Sequence, residues 1–95
     1  MSEYQEEIVV RFEPEALRSA AYDGERQVGE CLLRSSEGVW TVIHTEVDPD
    51  YGGRSIAKRL VLAVAEAART EGRKLKPLCS YAAKVLSKPE FADLL

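Results

Sequence analysis

The sequence predicts an α+β domain of antiparallel strands, then a β-α-β crossover, then a C-terminal helix. Three observations lead there. β-branched residues crowd the first half of the 95-residue chain in short runs. Residues 54–71 carry apolar side chains at helical spacing, at Ile56, Leu60, Val64 and Ala67/Ala68. A short strand pattern at 74–79 separates that helix from a second helical segment. A chain of this size buries about 60–65% of its unfolded surface, enough for it to fold alone, so residues 1–95 are read as one domain.

The elements follow in order. Residues 8–12, Ile-Val-Val-Arg-Phe, form a first strand that stops at Glu13-Pro14. Residues 16–22 lead into Asp23-Gly24, a strong hairpin signal, and residues 27–34 return, ending at Ser35-Ser36-Glu37-Gly38. Residues 39–47 make the best strand in the chain. Strict alternation puts Trp40, Val42, His44 and Glu46 on one face and Val39, Thr41, Ile43, Thr45 and Val47 on the other. Apolar residues on both faces predict a central strand covered on each side. The helix of residues 54–71 stops at Gly72. Pro77 gives the strand at 74–79 an edge position or an irregular end. Ser80 opens a last helix through residue 87, Lys88-Pro89 breaks it, and Phe91, Leu94 and Leu95 tuck back onto the body. The unit from residue 39 to 79 is expected to be a right-handed parallel crossover. Ligands of such units sit at the carboxyl ends of the strands, so Thr45-Glu46-Val47 and Leu78-Cys79-Ser80 should face one crevice.

Composition narrows the function. Hydrophobic content of 45%, charged content of 31% and a formal net charge of −3 describe a soluble globular protein. The negative balance argues against general affinity for nucleic acid or an acidic membrane. The longest apolar stretch, residues 60–68, is interrupted by Glu66 and is too short to span a bilayer. Cys31 and Cys79 are too few for a secreted disulfide scaffold and are read as free thiols in a reducing cytoplasm. The N-terminus, Met-Ser-Glu-Tyr-Gln-Glu-Glu, lacks the basic region of a signal peptide.

The most informative segment is residues 46–60, which reads as a strand end, a turn bearing Gly52 and Gly53, and the first turns of a helix. It places three cations, Arg54, Lys58 and Arg59, at a helix start, where free N–H groups already present partial positive charge. The conflict disappears if an anion sits there. Backbone donors, small residues and nearby cations together make a phosphate cradle, and the turn reads as the seat of a phosphorylated ligand. Asp48 and Asp50 are expected to cap the turn, and two carboxylates without other ligand types predict no metal site.

With these residues in view, the chain resembles a small Gcn5-related N-acetyltransferase (GNAT) domain, of the short GNAT-like bacterial type. The resemblance covers nearly the whole chain. It rests on His44-Thr45-Glu46-Val47, Gly53-Arg54-Ser55-Ile56-Ala57, Pro77-Leu78-Cys79-Ser80-Tyr81 and Pro89-Glu90-Phe91-Ala92-Asp93-Leu94, in that order and spacing. The superfamily's acetyl-coenzyme A signature, Arg/Gln-x-x-Gly-x-Gly/Ala, maps onto Gly52, Gly53, Arg54, Ser55, Ile56 and Ala57. Gly52 replaces the usual Arg/Gln, Ser55 replaces the middle Gly, and Ala57 fits. Arg54 or Lys58 supplies charge that Gly52 lacks.

The resemblance implies a compact GNAT-like fold, acetyl-coenzyme A as acetyl donor and an amine or protein acceptor that the residues do not identify. It implies that the end of the strand at 39–47, near Val47, pairs with the pantetheine arm and holds the developing oxyanion. It places Cys79 near the acetyl thioester. Cys79 also precedes a helix start, which lowers a thiol's pKa, so it either accepts the acetyl group or, as a small apolar residue, lines the pocket. His44 and Glu46, two residues apart, are either a general base for the amine or a bonded histidine and a surface carboxylate. Tyr81 is either helix packing or the general acid for the leaving thiolate that such enzymes use. Cys31, beside Leu32 and Leu33, packs.

Transfer of acetyl to an amine, by a monomer or weak homodimer, is thus the leading expectation. Full acetyltransferases of this kind carry extra helices and a terminal hairpin. The short chain therefore keeps open an alternative, a module that holds acyl-coenzyme A without efficient turnover. A nucleic-acid adaptor using Arg54, Lys58 and Arg59 is disfavoured by the net charge and by the lack of interleaved aromatics.

Overall fold

The computed structural model describes residues 7–95. The N-terminal segment read above as no signal peptide lies, through residue 6, outside the described residues. A five-stranded sheet in the order β1-β2-β3-β4-β5 carries its helices on one face. The strands are β1 (Val9–Glu13), β2 (Arg18–Asp23), β3 (Arg26–Ser36), β4 (Val39–Val47) and β5 (Lys74–Pro77). The first four form an antiparallel meander, and β5 joins β4 in parallel after the crossover through α1 (Ile56–Glu71). A shorter helix, α2 (Ser80–Leu86), and a 3-10 segment, Pro89–Leu94, complete the chain. The α+β class and the strand–helix–strand crossover expected from the sequence are those observed.

The turns explain the meander. Glu37 and Gly38 both take positive φ, 53° and 82°, the pairing that matches the right-handed twist of a two-residue hairpin. Gly72 closes α1 at φ 70°, donating to the carbonyls of Ala68 and Arg69.

The core lies between α1 and the sheet. Ile56, Leu60, Val61, Val64 and Ala68 of α1 bury against Ala21, Cys31, Leu33, Trp40, Val42 and Leu75. Phe12 stacks on Trp40 with ring centroids 5.2 Å apart. The buried Ser19 hydroxyl donates to the Leu60 carbonyl at 2.8 Å, tying β2 to the helix. Ala82, Val85 and Leu86 of α2, with Phe91 and Leu94, extend the same core beside β4 and β5.

Three expectations need correction. β4 is central in the sheet but covered on one side only: the opposite face carries Glu13, Arg18, Glu30, His44 and Glu46. The strand after α1 ends at Pro77, two residues early, because Leu78 and Cys79 turn away to start α2. Leu95 is half exposed, while Phe91 and Leu94 do fold back.

Candidate functional site

The sheet opens where β4 and β5 part. Their pairing runs from Val39–Lys74 to Val42–Pro77 and stops. Proline has no N–H to continue a ladder. The next two amides, of Leu78 and Cys79, both turn onto the Val42 carbonyl, at 3.0 and 3.1 Å. β4 itself continues to Val47, so residues 43–47 present an open backbone edge toward the start of α2.

A bulge governs which side chains meet there. Leu33 pairs with Val42 but Leu32 pairs with His44, leaving Ile43 as an extra residue on β4. The alternation therefore inverts. Thr45 and Val47 join Trp40 and Val42 on the helix-covered face, and His44 and Glu46 lie on the open one. This corrects the strict alternation expected above, and it puts His44 and Glu46 on the opposite face from Cys79. Cys79 Sγ donates to Thr45 Oγ1 at 3.7 Å, and Thr45 Oγ1 donates to Cys31 Sγ at 3.5 Å.

The two free thiols differ in character. Partial burial pushes Cys79 up, but the Ala82 N–H, the Thr45 hydroxyl and the N–H groups of Tyr81 and Thr45 outweigh it and hold the thiol below its ordinary value. Burial pushes Cys31 up to about 11 against the opposing Thr45 hydroxyl. Thiolate is the reactive form, so Cys79 should alkylate at a lower pH than a free cysteine while Cys31 stays protonated. Iodoacetamide near neutral pH is expected to add one group, located at Cys79 by peptide mass spectrometry. Equal labelling of Cys31 in the folded protein is the contrary result.

The anion-cradle turn is built from its neighbours. Asp48 accepts from the Asp50 amide at 2.9 Å and caps the 3-10 turn Pro49–Tyr51, as the sequence suggested for Asp48, while Asp50 lies in the first turn and gives the cap its amide. Arg26 donates to Asp48 at 2.9 Å. The Tyr51 hydroxyl donates to Asp23 at 2.6 Å, a bond that raises the tyrosine's pKa. Arg26 and Arg54 lie over the Tyr51 ring, 5.8 and 5.2 Å from its centroid. The loop is thus fastened to the β2–β3 hairpin.

Beyond it, Gly52 takes an ordinary φ of −65°, whereas Gly53 and Ser55 are left-handed at 80° and 60°. The signature's middle glycine would adopt the Ser55 conformation without strain. Ser55 is the N-cap of α1 yet makes no side-chain cap, and no acidic residue occupies the first turn. The helix therefore begins at Ile56 rather than 54, with its first N–H groups uncapped. Ile56 anchors this end in the core, Ala57 is half-buried, and Arg54, Ser55 and Lys58 are exposed around it. Arg59 is committed elsewhere, to the Ile8 carbonyl at 2.8 Å.

On the open face, His44 Nε2 lies 3.4 Å from Glu30 Oε2 and 4.0 Å from Glu46 Oε1. One donor atom from each of these residues falls within 4.8 Å of the others. Arg18, however, already holds Glu30 at 3.0 Å and would repel a cation. A hollow of about 380 Å³ at the end of β4 is lined by Gly29, Glu30, Glu46, Val47 and Asp48 among others. Tyr81 lies in the first turn of α2, exposed, two residues after Cys79 and three after the exposed Leu78.

Sequence reasoning set Thr45 in one crevice with Cys79 without its bonds to the two thiols, and missed Glu30 and Tyr51 as site builders. Their partners lie 14 to 34 residues away, a link that only strand register supplies. Among the described residues, no helix is long and apolar enough to cross a membrane. A family model described as GCN5-related N-acetyl-transferase matches residues 18–94. A search of curated proteins finds no match.

Proposed function

Because the chain belongs to the GCN5-related N-acetyltransferase family, we propose that it binds acetyl-coenzyme A in the opening between β4 and α2 and transfers the acetyl group to an amine. The observation that carries this reading is the parting of β4 and β5 at Val42–Pro77, which leaves residues 43–47 with an open edge. The pantetheine arm is a chain of amides and pairs with such an edge as a strand would. Exposed Leu78 and Tyr81 beside Cys79 offer its methylenes an apolar wall. The pyrophosphate rests on the turn from Gly52 to Lys58, where Gly53, Ser55, Ile56 and Ala57 present backbone and Arg54 and Lys58 supply charge.

In the simplest mechanism the amine approaches from the open face of the sheet, gives its proton to His44 there, with Glu46 or water as the other acceptors, and attacks the thioester carbon through the gap where β4 and β5 part. Main-chain donors near Val47 hold the oxyanion. The C–S bond then breaks, and the departing thiolate takes a proton from solvent or Tyr81. In the second route the Cys79 thiolate attacks first, forms an S–acetyl bond and expels coenzyme A, and the amine then takes the acetyl group from Cys79. The lowered thiol pKa supports this route. The acceptor is a small amine or a protein lysine, and free thiols suit the cytoplasm.

The test is an NMR titration of labelled protein with acetyl-coenzyme A, followed by Cys79→Ala. Shifts concentrated at Val47, Gly52 through Lys58 and Cys79 through Tyr81 are expected, and no shifts at millimolar ligand would sink the proposal. Cys79→Ala should still bind and should lose any acetyl-enzyme mass. Transfer at the original rate would reduce Cys79 to pocket lining. Binding without release of coenzyme A to a panel of amines would favour the non-catalytic module.

A further inference from the structure

We propose that Glu30 is the positioning residue for His44: it accepts from Nε2–H and so leaves Nδ1 as the atom that takes the amine's proton. This inference rests on the acetyl-transfer reading above. A neutral imidazole carries one proton, and the group bonded to one ring nitrogen decides which nitrogen keeps it. Glu30 Oε2 stands 3.4 Å from His44 Nε2.

Glu30 is itself held in place. Its Oε1 receives Arg18 at 3.0 Å, Arg18 Nε donates to Glu13 at 2.9 Å, and Glu13 receives the Tyr22 hydroxyl. The line from Glu13 to His44 crosses β1, β2, β3 and β4. The hydrogen bonds from Tyr22 and Arg18 keep Glu13 ionised by holding its pKa below the ordinary value. His44 therefore faces Glu30 from β3, Glu46 from its own strand, and Arg18 behind Glu30. Glu46 is the weaker partner, 4.0 Å away and 78% exposed, against 23% for Glu30.

The bulge at Ile43 is what brings the pair together. It sets His44 opposite Leu32, on the open face with Glu30, rather than beneath the helices. When His44 takes the amine's proton on Nδ1 it becomes an imidazolium, and the Glu30 carboxylate balances that charge until the proton passes to solvent.

His44 is the chain's one histidine, so its ring ¹⁵N signals are unambiguous. Long-range ¹H–¹⁵N correlation at about pH 8, above the ordinary histidine range, should show the Nε2–H tautomer in the wild-type protein. Glu30→Ala should give a mixture, Glu30→Gln should turn the ring to Nδ1–H because Arg18, a donor only, holds the amide oxygen and leaves the NH2 donating to Nε2, and Glu46→Ala should leave the tautomer as it is in the wild-type protein. With acetyl-coenzyme A and a lysine-containing peptide, Glu30→Ala should lower kcat roughly tenfold or more and leave KM for the donor unchanged. A mixed tautomer in the wild-type protein, or an unchanged one in Glu30→Ala, overturns the proposal. The tautomer is read without donor or acceptor. Absence of transfer by the wild-type protein would instead overturn the acetyl-transfer reading.

Discussion

Reversing the charge of Arg54 and Lys58 together to glutamate is expected to weaken acetyl-coenzyme A binding about a hundredfold, near 2.7 kcal/mol, with the fold intact. Both side chains are exposed beside the uncapped start of α1, where no acidic residue offsets the helix N-terminus. The substitution turns two attractions for a pyrophosphate into two repulsions. Two effects on stability oppose each other. Loss of the Arg54 guanidinium over Tyr51, 5.2 Å from the ring centroid, removes a contact of about 0.5–1 kcal/mol. Negative side chains at a helix N-terminus contribute about 0.3–1 kcal/mol in the other direction. Calorimetry at two salt concentrations separates charge from shape. Wild-type affinity should fall as salt rises, whereas the variant should bind weakly and gain affinity as salt screens its repulsions. Unchanged affinity in the variant removes the anion cradle.

The sequence made the elements legible and the site partly so. β4 could be bounded at Val39 and Val47 because β-branched residues fill it and turn signals flank it. Period-two reasoning then failed inside that strand. One extra residue at Ile43 shifts every later side chain to the other face, and nothing in a pattern of apolar and polar residues marks where the partner strand skips. Thr45 consequently meets Cys79, while His44 and Glu46 look away from it. The helix start was read two residues early for a related reason. Ser55 carries a left-handed φ of 60° that its residue type does not announce. The sign conflict at Arg54 and Lys58 was readable from charge alone, whereas the commitment of Arg59 to the Ile8 carbonyl is a contact across 51 residues. Glu30 belongs to the same class: an unremarkable strand carboxylate until register sets it beside His44.

Leu60→Ala is expected to cost about 3–4 kcal/mol, a large share of the roughly 5–14 kcal/mol available to a chain of this size. Leu60 is fully buried, and its carbonyl receives the Ser19 hydroxyl. Its Cδ1 also fills the space above Gly29. A methyl group at Gly29 would lie 3.2 Å from that carbon, 3.1 Å from the Glu46 carbonyl oxygen and 3.3 Å from Val47 Cγ2. Gly29→Ala alone should therefore cost about 1–3 kcal/mol by overpacking. The two changes should not add. Removing Cδ1 opens the space the new methyl needs, so Gly29→Ala should cost about 1 kcal/mol less in the Leu60→Ala background, a coupling that denaturant titrations of the four proteins measure. The remaining contacts point to the site. Glu46 and Val47 lie on the open-edged end of β4, and a methyl pressed against the Glu46 carbonyl moves that edge even when Leu60 has been cut back. Acetyl-coenzyme A affinity in Gly29→Ala should thus stay reduced in both backgrounds. Recovery of affinity together with stability would mean that Leu60, not the β4 edge, bears the strain.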